Sequence, residues 1–336
     1  MSDISEKTVA QLNALVRAKT GDSGARAHSL ETLPGHAGFS YSFILDRSDG
    51  GSPSGKMVVR MSAPNVRISG PADIERQARI MASFAGTAVP VPPIYWHGCE
   101  EEFFGRPYMV AGFVEPSFKL SESTLPMDHI KRLARLGMGT MAALHAMPWE
   151  PRRSAFGDPF PLSEEFVRLD YLLDRPTLDP KDVGRAFELR ERLRSSVPTG
   201  ARIGCVHGDF QWANLLFDEQ KPVALIDWEI SSIGPTLLDL GWISFFADSK
   251  SFVDEDPVRG SIMNPDELFE AYASAATFPV SAEEVRWFRA FAGYRFGVIT
   301  CFNVMLHRRG KRDDPHWLDI AKSAPTMFEH GLEVLG

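Results

Sequence analysis

Three short apolar segments, and the polar residues between them, place the strongest constraint on how this chain can fold. Residues 203–206, 215–217 and 223–226 are mostly apolar and only three or four residues long, which predicts short buried strands. The loop that joins the first two segments carries Asp209 and Asn214. We expect these strands to form a hairpin base that supports both polar side chains rigidly.

The third segment ends at Asp227, so a carboxylate, an amide and a second carboxylate follow one another within one local unit. Taken singly, Asp and Asn in loops are ordinary turn formers. In this order they suit phosphoryl transfer to a hydroxyl group. Asp209 would orient and partly deprotonate the acceptor, while Asn214 and Asp227 would bind magnesium against nucleotide phosphates.

Two motifs dominate the pattern, His207-Gly-Asp209 with Asn214, and Ile226-Asp-Trp-Glu229. Weaker motifs accompany them at Gly38-Phe-Ser40, Val58-Val-Arg60, Val89-Pro-Val-Pro92, Leu144-His145 and Leu237-Leu-Asp-Leu-Gly-Trp242. Together they resemble the aminoglycoside phosphotransferase and choline kinase superfamily, whose fold is related to that of protein kinases. Within it, the chain most resembles the subset encoded near, or fused to, acyl-CoA dehydrogenases.

This resemblance implies an α+β, bilobal, protein-kinase-like fold. Residues 1–114 would form the nucleotide-binding lobe, with an antiparallel sheet and a helix, ending in the hinge. Residues 115–336 would form a larger, mostly helical lobe that holds the catalytic loop and binds the substrate. An order of strands first and helices afterwards is also typical of α+β proteins.

The apolar spacing predicts the main elements in more detail. Hairpin strands are expected around Tyr41–Leu45 and Lys56–Met61, and two further strands at 93–96 and 108–114. Helices are expected over residues 4–19, 74–84, 127–144, 265–276, 281–307 and 315–334.

The resemblance also implies a nucleotide site in the first lobe. Glycines 35 and 38 would form a loop over the phosphates, with Ser40 as a further contact. The backbone of Ala111 to Phe113 would hydrogen-bond the nucleobase. Two glycines beside a strand are otherwise ordinary turn residues.

Arg60 stands where kinase-like folds place a lysine that binds the nucleotide phosphates, and it keeps the positive charge. In kinase-like folds a glutamate on the following helix pairs with this cation. Counting back from Val89-Pro-Val-Pro92, the corresponding position here is Gln77, whose neutral side chain forms no ion pair. A second departure is Gly234-Pro-Thr236, where the family usually has Gly-Asp-Pro.

The remaining polar residues of the motifs have less direct expected roles. By resemblance His207 is structural rather than a proton shuttle. Asp239 lies in an apolar run, so its carboxylate must be hydrogen-bonded, and we expect it to cap the catalytic loop from behind. Glu229 could bind a cationic substrate or cap a helix. Trp228 and Trp242 are expected to belong to the core.

Composition narrows the function classes further. The net charge of −8 argues against a nucleic-acid partner. The three cysteines are far apart and lack zinc-site spacing. The N-terminus lacks the features of a signal peptide, and no long apolar run could span a membrane. We therefore expect a cytoplasmic protein without a membrane partner.

The sequence thus predicts a phosphotransferase that uses magnesium and ATP or GTP to phosphorylate a small-molecule hydroxyl. The alternative is a nucleotide-binding regulatory protein with little turnover. Protein kinase activity is disfavoured because Asp-Phe-Gly and Ala-Pro-Glu motifs are absent. An aminoglycoside acceptor would need a carboxylate-rich pocket, yet the acidic residues of the 120–200 insert alternate with arginines. The link to acyl-CoA dehydrogenases suggests a hydroxylated acid or acyl-CoA as acceptor.

Overall fold

The computed structural model of the chain describes residues 6–33, 39–63, 68–70, 73–253 and 260–336. The glycine-rich loop predicted at Gly35 and Gly38 lies outside these residues. Within the described part of the chain, no helix combines the length and the apolar character needed to cross a bilayer.

The helices and strands that the apolar spacing predicts occur in the predicted order, together with elements that it did not predict. The strands are β1 (Arg26–Thr32), β2 (Phe39–Asp46), β3 (Gly55–Met61), β4 (Ile94–Gly98), β5 (Tyr108–Gly112), β6 (Ile203–Val206), β7 (Leu215–Phe217), β8 (Pro222–Leu225) and β9 (Ser232–Pro235). The helices are α1 (Glu6–Thr20), α2 (Ile74–Ala82), α3 (Met127–Ala146), α4 (Arg153–Phe156), α5 (Leu162–Leu173), α6 (Pro180–Val183), α7 (Ala186–Ser195), α8 (Leu237–Phe246), α9 (Pro265–Ala275), α10 (Ala282–Arg308), α11 (His316–Ile320) and α12 (Ala324–Leu335).

The chain divides into two compact units. The first contains Met1–Ser117 together with Val223–Ile230, and the second contains Phe118–Pro222 and Ser231–Gly336. The sequence division at residue 114 did not anticipate that the segment around Asp227 returns to the first unit.

The first unit is built on a five-stranded antiparallel sheet in the order β1-β2-β3-β5-β4. Alternate residues of β2 and β3 face a core that includes Phe43, Leu45 and Val59, and α1 adds Leu12 and Leu15 to it. Helix α2 begins after Asp73, whose side chain accepts a hydrogen bond from the N–H of Arg76 and so caps the first turn.

The sequence pattern did not predict β1. Its segment is largely polar and exposed, as expected of an edge strand, so the two-residue alternation is weak. The register shifts between His28 and Glu31, where Ser29 adopts a left-handed φ of 54°. This irregularity further obscures the strand pattern.

The second unit is mostly helical, and the long helix α10 packs against α8 and α12. Gly241 of α8 lies so close to α10 that a Cβ atom there would stand 2.5 Å from the carbonyl carbon of Phe288. The absence of a side chain at this position therefore sets the distance between the two helices.

Two predicted features differ from the structure. The hairpin base is found for β7 and β8, which pair with each other, but β6 pairs antiparallel with β9, which contains Gly234 and Pro235. Residues of this type are rare in strands, so the sequence hid β9. The helix predicted over 315–334 is broken into α11, a 3₁₀ turn and α12. Pro325 lies in the first turn of α12, where its missing N–H needs no partner.

Candidate active site

The loop after β6 is supported from behind by one carboxylate. Asp239, in the first turn of α8, is fully buried. Its Oδ2 and Oδ1 atoms accept hydrogen bonds from the backbone N–H groups of His207 and Gly208, at 2.8 and 2.7 Å. The ring of His145 lies 3.1 Å from the same carboxylate, and its other nitrogen is 2.6 Å from the Tyr272 hydroxyl. This network holds the loop against the helical unit.

His207 is also fully buried, and its Nδ1 atom accepts a hydrogen bond from the Asp209 N–H at 3.3 Å. Gly208, between them, has a left-handed φ of 87°, a conformation that glycine adopts without strain. The turn therefore brings the Asp209 side chain to the surface of the unit, where it is half-buried.

Three N–H donors surround the Asp209 carboxylate. The Gln211 amide and the Trp242 indole donate to Oδ1, at 2.5 and 2.7 Å. Asn214 donates from Nδ2 both to Oδ2 and to the Asp209 carbonyl oxygen, at 2.9 Å each. Because both partners of Asn214 are acceptors, its amide orientation is determined, and its Oδ1 atom faces away from Asp209.

The first unit contains a second polar cluster, which is centred on Arg60 of β3. Its guanidinium forms ion pairs with Asp227, at 3.0 Å, and Glu229, at 3.3 Å. The Arg60 side chain is only 14% exposed, so both contacts are partly shielded from water. Glu229, for which the sequence left open a substrate contact or a helix cap, contacts Arg60.

Asp227 follows β8 and has a left-handed φ of 66°, which is uncommon outside glycine. The neighbouring Trp228 is fully buried, and its indole N–H donates to the Leu225 carbonyl at 2.9 Å. The buried indole thus anchors the turn. Strained backbone of this kind is concentrated at functional sites.

Other residues predicted for the nucleotide site lie in the same unit. Ser40 pairs with Arg60 across β2 and β3, and Gln77 is fully buried on α2. Ala111 is paired with strands on both sides. The Phe113 N–H donates to the Lys56 carbonyl at 3.2 Å and is therefore occupied. The structure thus gives both hinge positions protein partners.

A cavity of about 230 Å³ adjoins the catalytic loop within the second unit. It is lined by Ser121, Gln211, Trp212, Ala213, Ile243, Phe246, Ala247, Gly260, Ile262 and Met263. None of these lining residues is charged. Gln211 borders the cavity and also donates a hydrogen bond to Asp209, so one residue separates the cavity from the carboxylate.

Two acidic side chains of the 120–200 insert form ion pairs with arginines. Glu165 pairs with Arg168 and Arg295, and Asp170 with Arg190 and Arg194. Burial alone would raise the pKa of Glu165, but hydrogen bonds from Arg168 and the charge of Arg295 lower it below its usual value. The negative charge of Glu165 is therefore neutralised by arginine.

Sequence analysis missed two neighbours of Asp209, Gln211 and Trp242. Trp242 was assigned to the core, and it is indeed only 6% exposed. Its position relative to Asp239 is i,i+3, so both residues lie on one face of α8. That spacing was the available signal that Trp242 also faces the catalytic loop.

Comparisons with known proteins agree with this architecture. The model of the phosphotransferase enzyme family matches residues 33–288, so the chain belongs to that family. The "Probable acyl-CoA dehydrogenase IBR3" of Arabidopsis thaliana is 25% identical over 294 residues, covering 78% of this chain and 34% of that protein. "Acyl-CoA dehydrogenase family member 10" of Mus musculus is 22% identical, covering 73% and 24%. The chain thus spans 34% and 24% of the length of these two relatives.

Solved structures show the same kinase-like fold. A "putative aminoglycoside phosphotransferase" from Ralstonia eutropha has a TM-score of 0.75 at 22% identity, with 97% of each chain covered. The streptomycin–ATP ternary complex of APH(2")-IIa has a TM-score of 0.65 at 14% identity, covering 100% of this chain and 99% of the other. The predicted bilobal α+β fold is confirmed.

Proposed function

We propose that the protein transfers the γ-phosphoryl group of ATP to a hydroxyl group of a small molecule. The hydroxyl oxygen would bond to the γ-phosphorus, ADP would leave, and Asp209 would take the hydroxyl proton. The observation that carries this proposal is the set of N–H donors around Asp209, which orients a carboxylate one residue away from a cavity. Positioning of this kind supplies most of the catalysis in phosphoryl transfer.

Asn214 and Asp227 would bind magnesium. Among the described residues no cluster of three or more His, Cys, Asp or Glu could hold a metal, but this site would use one amide and one carboxylate. The donors fit, since both are hard oxygen ligands and the Asn214 amide nitrogen is already committed to Asp209. Magnesium, when bound, would neutralise charge on the phosphates.

Arg60 would bind nucleotide phosphates with the backbone near Ser40, and Gln77 of α2 would accept a hydrogen bond from Arg60. Arg60 pairs with Asp227 and Glu229, so nucleotide binding would exchange part of this contact for phosphate. The hinge near Ala111 and Phe113 would receive the base. His207 and Asp239 would support the loop. The base could equally be that of GTP.

The acceptor is proposed to present a neutral, apolar body next to its reacting hydroxyl. The cavity next to Gln211 has no charged lining residue among those described, and Glu165 and Asp170 of the insert are paired with arginines. Both observations argue against a polycationic aminoglycoside. Two relatives are named as acyl-CoA dehydrogenases, so hydroxylated acyl compounds belong among the acceptors to be tested.

The test is ADP release from ATP and magnesium against a mixed library of hydroxylated compounds, with aminoglycosides included. Release that depends on an acceptor and disappears in Asp209→Ala would support the kinase. Nucleotide-induced stabilisation without release, over the whole library, would instead favour a regulatory nucleotide-binding protein.

A further inference from the structure

The indole of Trp242 contacts Asp209 directly, although Trp242 itself is almost completely buried. Its Nε1 atom donates to Asp209 Oδ1 at 2.7 Å. Trp242 also packs edge-to-face on Phe246 and Phe296, with ring centroids 5.0 and 5.9 Å apart. The indole therefore has little freedom to rotate, and its N–H points at a fixed position.

The donors are distributed unevenly over the two carboxylate oxygens. Among the described residues, Oδ1 accepts hydrogen bonds from both Trp242 and Gln211, whereas Oδ2 accepts only from Asn214. A carboxylate oxygen offers two lone pairs in the plane of the group. Both lone pairs of Oδ1 are therefore used, and the remaining one lies on Oδ2.

A buried cation holds the indole from its other side. The Arg295 guanidinium lies over the Trp242 ring, 5.0 Å from its centroid. Glu165 anchors Arg295 through an ion pair of 3.0 Å, and both side chains are at most 13% exposed. Burial lowers the pKa of Arg295, while the charges of Glu165 and Asp209 oppose that shift.

Stability alone is a weak reason for such a buried ion pair, because apolar replacements of similar size are often as stable or more stable. The placement of this pair against Trp242 has a more specific consequence. A guanidinium on the ring face fixes the indole plane, and the indole N–H in turn fixes the rotation of the Asp209 carboxylate.

We infer that Trp242, held by Arg295 and Glu165, is a positioning residue that occupies Asp209 Oδ1 and directs the acceptor hydroxyl to Oδ2. The inference rests on the proposed function, since it assumes that Asp209 receives the proton. Trp242 touches no substrate in this scheme. It acts through Asp209, and Arg295 acts through Trp242.

The contact can be tested without turnover, through the indole N–H resonances of the seven tryptophans. Trp242→Phe assigns its signal by deletion. Asp209→Ala is expected to shift that signal, because the charged acceptor is removed. Trp317 offers a matched case, since its indole N–H donates to Asp314 at 2.9 Å. Asp209→Ala should leave the Trp317 signal in place, and Asp314→Ala should move it.

Kinetics then separate positioning from folding. Trp242→Phe keeps an aromatic ring but removes the N–H, so we expect kcat for ADP release to fall about tenfold to a hundredfold. The KM values for ATP and for the best acceptor of the library should change less than about threefold, because neither contacts the indole. Trp317→Phe, which also removes an indole–carboxylate hydrogen bond, should retain wild-type kcat.

Arg295→Met should also lower kcat. If Arg295 acts through Trp242, the variant that combines Arg295→Met with Trp242→Phe will lose no more activity than Trp242→Phe alone. Melting temperatures of all variants identify any that fail to fold.

An unmoved Trp242 resonance in Asp209→Ala would overturn the inference. An unchanged kcat in Trp242→Phe would also overturn it. If the fold-losses of kcat in Trp242→Phe and Arg295→Met multiply in the double variant, Arg295 does not act through Trp242. If the wild-type chain releases no ADP with any acceptor, the proposed function fails first. The resonances then report only whether the contact exists.

Discussion

Asp209 of the second unit and Asp227 of the first are the two carboxylates to which the proposed function gives a role, and they are held in opposite ways. Asp209 accepts hydrogen bonds from neutral donors on Trp242, Gln211 and Asn214. Asp227 is paired with the guanidinium of Arg60 and adopts a left-handed backbone conformation.

The difference has a chemical meaning. Neutral donors fix the direction of a carboxylate and leave its negative charge in place, which suits a proton acceptor. A cation partner shows that the oxygens of Asp227 accept a positively charged ligand, and magnesium would have to take them over from Arg60. The two environments therefore match the two roles proposed for these carboxylates.

The largest expected effect is at Asp209. Asp209→Ala should lower kcat about 10²- to 10⁴-fold, because the group that accepts the proton is lost. The measurement is acceptor-dependent ADP release, with Asp158→Ala, an exposed carboxylate of the same unit, as the control. A kcat within tenfold of wild type would contradict the role of Asp209 as base.

Asp239→Ala should affect folding most. It leaves two buried backbone N–H groups and His145 without their acceptor, at a cost of about 3–5 kcal/mol in the free energy of unfolding. Denaturant unfolding measures this difference. Asp319→Ala, at a 77% exposed side chain, should change it by less than about 0.5 kcal/mol. Equal losses in the two variants would refute the supporting role of Asp239.

Arg60→Met tests the role of the cation that pairs with Asp227. Loss of a charged hydrogen bond to phosphate should raise the KM for ATP about 10- to 100-fold, with a smaller change in kcat. Arg60→Lys keeps the charge and should recover part of the affinity. An unchanged KM in Arg60→Met would show that Arg60 serves only its pairs with Asp227 and Glu229.

Gly241→Ala should separate α8 from α10, because the new Cβ atom would meet the Phe288 backbone at 2.5 Å. We expect a loss of about 1–3 kcal/mol in the free energy of unfolding. Gly139→Ala on α3 is the matched change, since nothing lies within 4 Å of its Cβ position. It should stabilise the protein by up to about 1 kcal/mol. If both variants change the free energy of unfolding in the same direction, the close approach of α8 and α10 would be contradicted.

The smallest effect concerns backbone strain. At position 227, with φ of 66°, the Ala variant should be less stable than the Gly variant by about 1 kcal/mol. Asp209 is not among the described residues with positive φ, so there Gly should be no more stable than Ala. Chemical unfolding of the four variants measures both differences, and an identical order at the two positions would exclude strain at Asp227.

Much of the fold followed from local patterns. Amphipathic spacing located α1, α3 and α10 within a few residues, because a helix that buries one face must repeat its apolar residues every three or four positions. The segment 315–334 shows the limit of this reasoning. Its apolar spacing continues across the break before α12, and only backbone geometry reveals where the helix restarts.

The sequence by itself determined the family, the bilobal class and the motifs that carry Asp209, Asn214 and Asp227, since those depend on residue types at short spacing. Tertiary structure decided which side chains surround them. The pairing of β6 with β9, the Arg60–Glu229 contact and the Trp242–Asp209 hydrogen bond join residues far apart in the chain. Such contacts depend on how separate elements pack, and the i,i+3 spacing of Asp239 and Trp242 is the one local signal among them.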